Sequence, residues 1–389
     1  MLRELDDLDA DGDGISNGDE ILLGTAPADP ADAWCVSDEE PLAIARAAAD
    51  PSLALRRVSS LFCGRSPSYE DLVGLSQIED HDEQQAVIHD RLSQCLESEF
   101  WRDVALPRLA DPKITPIFTY GRDSPNGSLA DYEWDYRLFV YALTGDRDAR
   151  DLLLADYHVD RAQDGTLVRV EGLIPADIDN PGGRPPVGGQ PLEPQYRAGL
   201  LTTQWFLVYN TFLSAVPRTT AAQAYRAYLD YDIARLEGIM PVAGEPFDYD
   251  DRDVDAPDCA VCHSTLDPLA YAFMNYEGLV GPLTGADAGA HNLRRPGRFF
   301  PEWDEPTSQL LGQPVRDVRG FAQVASESDE FKQMLGRMFF EYAFDRAPVA
   351  AETEVLDACW QQLPELGWSA NALVHCIIDI PTFSNGERQ

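Results

Sequence analysis

Five consecutive residues, Cys259-Ala260-Val261-Cys262-His263, place two thiols and an imidazole within reach of one small group. Thiols at this spacing can add across the two vinyl arms of a haem as thioethers, and the imidazole beside the second thiol then lies beneath the iron as proximal ligand. The expected cofactor is covalent haem c on Cys259 and Cys262, with His263 on the metal. The same residue types also suit a local disulfide, half of a zinc site or a structural pair of thiols. The sixth iron ligand decides between electron transfer and chemistry, because Met or His there closes the iron and an open position admits peroxide or oxygen. His291 and then Met240, on loops free to cross the haem, are the distal candidates. Met274 falls on the proximal side, Met334 and Met338 read as packing residues, and His81, His89, His158 and His375 read as surface or satisfied core histidines.

A second constellation spans residues 9–20. Asp9, Asp11 and Asp13 offer hard oxygen ligands, Gly14 permits the sharp turn, Ile15 adds its carbonyl, Asn17 acts through water and Glu20 closes the shell bidentately, as a calcium loop requires. No helix signal precedes Asp9 and only one copy is present, so a structural Ca2+ cap or linker is expected rather than a helix-opening sensor. The acidic run from Asp248 to Asp258 lacks a turn glycine and a closing Glu, and reads as a solvated loop.

The chain has 389 residues and a formal net charge of -37, which opposes binding to nucleic acid or anionic lipid and suits a basic redox partner. No apolar run reaches about 18 residues, so no transmembrane segment is expected. Outside the motif, Cys35, Cys63, Cys95, Cys359 and Cys376 cannot all pair internally; Cys359 with Cys376 is the better disulfide candidate, Cys63 with Cys95 the weaker. Haem attachment to this motif follows export, and weak extracellular calcium modules point the same way, so the periplasm or the extracellular space is expected. Met1-Leu2-Arg3-Glu4-Leu5 carries no signal peptide, implying a leader absent from this sequence. The alternative is a cytoplasmic chain whose cysteines hold no haem.

The elements that must position these groups are mostly helical. Apolar residues at three and four spacing predict helices from Asp38 to about Arg102, Tyr132 to Leu143, Ala149 to Tyr157, Leu200 to Ala215, Thr219 to Glu237, Asp329 to Phe344, Ala351 to Leu363 and Ala370 to Ile378. Alternation around Asp164-Gly165 predicts a hairpin between Tyr157 and Val170, while Pro175 to Pro194 and Gly281 to Pro314 read as loops, the former as an ordered wrap. Asp267 is expected to cap a helix from Pro268 to about Glu277. The fold class is therefore mainly α, multi-helical with long loops, a small β-hairpin and the N-terminal calcium loop. The domains are read as 1–34 (calcium-binding), 35–240 (helical, with the hairpin) and 241–389 (haem-binding).

The stretch from Cys259 to Gly281, with Asp267-Pro268 and Met274-Asn275-Tyr276-Glu277, resembles the planctomycete and myxobacterial cytochrome c-like families of uncharacterised function. Arg56-Arg57-Val58, Gly64 to Glu70, Tyr196 to Leu201, Glu330-Phe331 and Tyr342 to Arg346 look like the same family. Ala270-Tyr271 stands where those families carry Gly-Phe. The resemblance implies a helical, exported haem protein and supplies no substrate. Residues 6–32, with Gly24-Thr25-Ala26-Pro27 after the loop, are similar to a bacterial thrombospondin type 3 repeat. Three functions stay open: a single-haem electron-transfer protein with a structural calcium site, a calcium-binding structural or adhesion protein whose Cys-x-x-Cys-His is a disulfide or metal clip, and a haem oxidoreductase with an open sixth iron site. No Ser-His-Asp pattern, phosphate-cradling glycine loop or His-Glu-x-x-His helix competes.

Overall fold

A computed structural model describes residues 50–117, 130–171, 188–190, 192–211, 216–233, 240–249, 252–274, 276 and 308–385. The expected calcium loop with Asp9, Asp11, Asp13, Ile15, Asn17 and Glu20, the distal candidate His291, Cys35 and most of the Pro175–Pro194 segment lie outside the described residues.

The fold is mainly α: thirteen α-helices and two small antiparallel hairpins make up the described residues. Helix α1 (Pro51–Phe62) starts where Pro51 needs no hydrogen-bond acceptor and the Asp50 carboxylate accepts the Ser52 and Leu53 amides. Its Ala54, Leu55, Val58 and Phe62 recur at three and four spacing and are buried against α3 (His81–Leu96). Helix α2 (Tyr69–Ser76) carries a reciprocal cap in which Ser68 and Asp71 satisfy each other's amides. A π-helical turn, Trp101–Ala105, leads into α4 (Leu106–Ile114), and Trp101 seats against Phe62, Phe339 and Tyr342. Helices α5 (Glu133–Ala142) and α6 (Asp151–Leu154) precede the hairpin of β1 (His158–Arg161) and β2 (Leu167–Val170), in which His158 faces Val170.

Two 3-10 turns, Pro194–Tyr196 and Gly199–Thr202, introduce α7 (Gln204–Thr211) and α8 (Arg218–Tyr228). Gly199 sits at φ +47°, and a Cβ there would lie 2.3 Å from the Leu152 carbonyl oxygen, so the turn closes on α6 only with glycine. Helix α8 stops well before the expected Glu237, because Asp230 adopts φ +56° and turns its carboxylate to Arg337, 2.8 Å away. Then come α9 (Pro257–Ala270), a 3-10 turn at Tyr271–Phe273, the hairpin of β3 (Ser308–Leu310) and β4 (Gln313–Val315), and α10 (Val318–Glu327), α11 (Asp329–Phe344), α12 (Ala350–Gln361) and α13 (Ala370–Ile378). The second hairpin and α10 replace a stretch read from sequence as loop through Pro314 and left unassigned beyond it. Among the described residues no helix is long and apolar enough to cross a membrane.

Both expected disulfides are present: Cys63–Cys95 joins the chain after α1 to α3, and Cys359–Cys376 joins α12 to α13. Cross-links closing loops of 32 and 17 residues each contribute about 3–4 kcal/mol by limiting the unfolded chain. A histidine pair adds a polar link between α3 and α13. The Nδ1 atoms of His89 and His375 lie 2.7 Å apart, with Asp379 at the far nitrogen of His89 and the Ser93 hydroxyl at that of His375.

His158 departs from its expectation as a surface or satisfied core residue. It is buried at the edge of Trp134, and among the described residues neither ring nitrogen has a hydrogen-bond partner. Burial, reinforced by the nearby Arg197 guanidinium, pushes its pKa down to about 4. The unfolded chain therefore binds this proton more tightly, so the stability His158 confers is whole above about pH 6.5 and is lost as pH falls towards 4. Urea titrations should show about 3 kcal/mol lost over that window, and His158→Leu should remove that part of the slope. An unchanged slope in the variant would refute the assignment.

Candidate functional site

The Cys-x-x-Cys-His residues sit in the first half of α9, not on a turn between two helices. The expected helix start at Pro268 is thus corrected: α9 begins at Pro257, runs through Pro268 and ends at Ala270. A proline inside a helix lacks the N–H that would bond the carbonyl four residues back, here that of Ser264. That carbonyl instead accepts the Val242 amide at 3.0 Å. The helix survives its proline, and the loop at 240–249 is tied to the motif by the same bond. Tyr271, just beyond α9, donates its hydroxyl to Glu245 at 2.8 Å and meets Tyr249 edge-on, fixing the loop at a second point. Burial and the Glu245 carboxylate push the Tyr271 pKa far up, so it stays a donor at neutral pH.

Helical geometry puts residues three and four apart on one face. Cys259 and Cys262 are therefore one turn apart; Cys259 is exposed, Cys262 half-buried, and neither is in a disulfide among the described residues. The Cys262 Sγ lies 3.9 Å from the Ile233 carbonyl. His263 is four residues before Asp267, and its Nδ1 is 2.8 Å from Asp267 Oδ1. Asp267 is fully buried, with 0% of its side chain exposed, and does not cap a helix as expected. It is clamped from α8 instead: Arg218 Nε donates to Oδ1 at 2.7 Å and Arg218 Nη2 to Oδ2 at 2.8 Å. The forked guanidinium matches the carboxylate in two parallel bonds, a strong and directional pairing.

The consequence for His263 is chemical. With the proton on Nδ1 held by Asp267, Nε2 keeps its lone pair and is the nitrogen available to a metal, and the carboxylate makes the ring a better donor. About a quarter of the His263 side chain remains exposed. Three apolar side chains are left 43% exposed: Val261 within the motif, and Met240 and Phe247 on the tethered loop. Two unpaired thiols, an oriented imidazole and uncovered apolar side chains fit the donor set of a thioether-linked haem. Met240 lies two residues from the Val242 amide that holds the loop to α9, on a left-handed backbone with φ +50°.

Met274 is half-buried against the core, and Met334 and Met338 pack on α11 as expected. In the acidic run before the motif, Asp248 accepts the Arg252 and Asp253 amides, which is ordinary loop chemistry. Reading the sequence missed Arg218 and the role of Asp267. His-x-x-x-Asp is a legible one-turn pairing once α9 is read through its proline; Arg218 comes from another helix and left no local signal. Comparison with known proteins finds no matching family model, no matching curated protein and no matching solved structure.

Removing one partner of a buried ion pair leaves the other charge without compensation. Arg218→Met should lower stability by about 3–5 kcal/mol in urea. His263→Phe, which keeps the Arg218–Asp267 fork, should cost about 1 kcal/mol. Equal losses would contradict the clamp.

Proposed function

We propose that the protein is an exported c-type haem protein that transfers electrons through a haem held by Cys259, Cys262 and His263, with a structural Ca2+ site at residues 9–20. The observation that carries this reading is the fixed imidazole: Asp267 holds His263 Nδ1 and leaves Nε2 for a metal, next to Cys262 and one turn from Cys259, both thiols unpaired among the described residues. A covalently bound haem would supply one-electron redox chemistry at this position. Cys259 and Cys262 would anchor it, His263 would offer it a ring nitrogen, and the Asp267–Arg218 pair would hold that ring in place. Met240 is the proposed distal ligand within the described residues, and His291 the other candidate.

Two disulfides support an oxidising compartment, periplasmic or extracellular, where such bonds persist. In such a compartment two adjacent thiols that remain unpaired are best explained by an occupant. The likeness of residues 259–281 to cytochrome c-like sequences agrees with this reading. The net charge of -37 suits a basic redox partner and disfavours nucleic acid.

One observation favours a haem oxidoreductase with an open sixth site as the second reading. A carboxylate on the proximal histidine favours the oxidised metal, which suits reaction with peroxide more than rapid shuttling at high potential.

Expression behind a leader in a host that matures c-type cytochromes should give a Soret band that survives denaturation, and a mass increased by one haem. Colourless material of bare polypeptide mass would remove the haem reading and leave a calcium-binding structural protein. In the coloured protein, Asp267→Asn should raise the reduction potential by about 60–120 mV, the equivalent of a ten- to hundredfold loss of preference for the oxidised state. Cyanide or imidazole shifting the band would select the open-site reading; resistance that disappears in Met240→Ala would select a closed carrier. For the N-terminal site, calorimetry should record calcium binding that Glu20→Gln weakens by at least about tenfold.

A further inference from the structure

A second site lies at the other end of α8 from Arg218. The chain contains only two lysines, Lys113 and Lys332, among 30 basic residues. Lys332 is paired with Asp329 at 2.6 Å and set over the Trp360 ring. Lys113 is different. It is the penultimate residue of α4, buried, with its Nζ 2.6 Å from the Ala227 carbonyl and 3.1 Å from the Met334 sulfur. Among the described residues no carboxylate pairs with it directly. The nearby Asp230 and Glu341 are taken by Arg337, at 2.8 and 3.2 Å.

Lys113 lines a cavity of about 430 Å³ between α4, α8 and α11. The rim carries three guanidinium groups, Arg108, Arg226 and Arg337, in a chain that is otherwise strongly acidic. Arg337 is neutralised by its two carboxylates and Arg226 faces Asp232 at 3.5 Å, whereas Arg108 has no acidic partner among the described residues.

We propose that Lys113 and this cavity form a covalent binding site for a small carbonyl compound carrying an anionic group, held as an imine on Nζ with its charge against Arg108. A neutral amine has two N–H bonds and one lone pair. The Ala227 carbonyl and the Met334 sulfur take the two hydrogens, so the lone pair is the remaining valence. Burial, opposed only partly by Asp230 and Glu341, lowers the pKa of the amine to about 8, so a useful fraction is neutral near physiological pH. In the step, the Nζ lone pair attacks the carbonyl carbon while the carbonyl oxygen takes up a proton. The carbinolamine then loses its hydroxyl as water, with the nitrogen giving up its protons, and the C=N bond forms. Nothing is oxidised or reduced, and addition of water reverses the step. Arginine could not serve, since its guanidinium stays protonated.

The test uses the full chain with glyoxylate and cyanoborohydride, which reduces an imine to a stable secondary amine, read by intact mass and peptide mapping. The expected result is one carboxymethyl group, on Lys113, formed about tenfold faster than any on Lys332 or the N-terminal amine. Acetaldehyde, which lacks the charge, should label Lys113 about tenfold more slowly than glyoxylate, and Arg108→Ala should abolish that preference without stopping the acetaldehyde reaction. Lys332→Arg should leave the labelling unchanged. Adducts confined to Lys332 or the N-terminus would overturn the site. Equal rates for the two aldehydes would overturn the anionic specificity. Because the readout needs no haem, failure here is independent of the haem assignment.

Discussion

The fully buried carboxylate of Asp267 is the constraint around which the centre of this protein is organised. An ionised carboxylate in an apolar interior is tolerated only if its oxygens are satisfied, and here the forked guanidinium of Arg218 and the His263 imidazole satisfy them. The fork can form only when α8 and α9 pack in one register. The packing of two helices and the orientation of one imidazole are therefore the same event, and a group that needs a fixed ring nitrogen finds it wherever the core is correctly assembled.

The surrounding structure follows from similar substitutions of partners. Pro268 denies the Ser264 carbonyl its usual donor, and Val242 provides one from the loop that carries Met240 and Phe247. A break in the helical ladder thereby becomes an attachment point for that loop. Helix α8 is used at both ends: Arg218 at its start holds Asp267, and the Ala227 carbonyl near its finish holds Lys113. One amine, Lys113, and one imidazole, His263, are thus set by one helix of eleven residues.

Much of the fold could be read locally. The spacing of Phe331, Leu335, Met338, Phe339 and Tyr342 gave α11 its bounds, and Asp164-Gly165 placed the first hairpin between β1 and β2, because each depends on neighbours a few residues away. The errors arose where a distant partner overrides a local rule. Pro268 was read as a helix start, since nothing nearby reveals that Val242 takes the freed carbonyl. Asp230 ends α8 early through its left-handed backbone and its link to Arg337. The hairpin at 308–315 was hidden by its strands of three residues each, too short for an alternation to register. His158 reads locally as a surface or satisfied core histidine, and its isolation depends on what the hairpin packs against.

Residue types and short spacings are properties of the chain, so the two thiols and imidazole of residues 259–263, the acidic pattern at 9–20, the acidic balance and the helical class were all available before folding. Which nitrogen of His263 stays free, which four cysteines join, and which of two lysines loses its water depend on groups more than a hundred residues apart in some cases, as with Lys113 and Ala227. Those outcomes rest on burial and hydrogen-bond direction, and a linear order of residues contains neither until long-range packing removes water and fixes the angles.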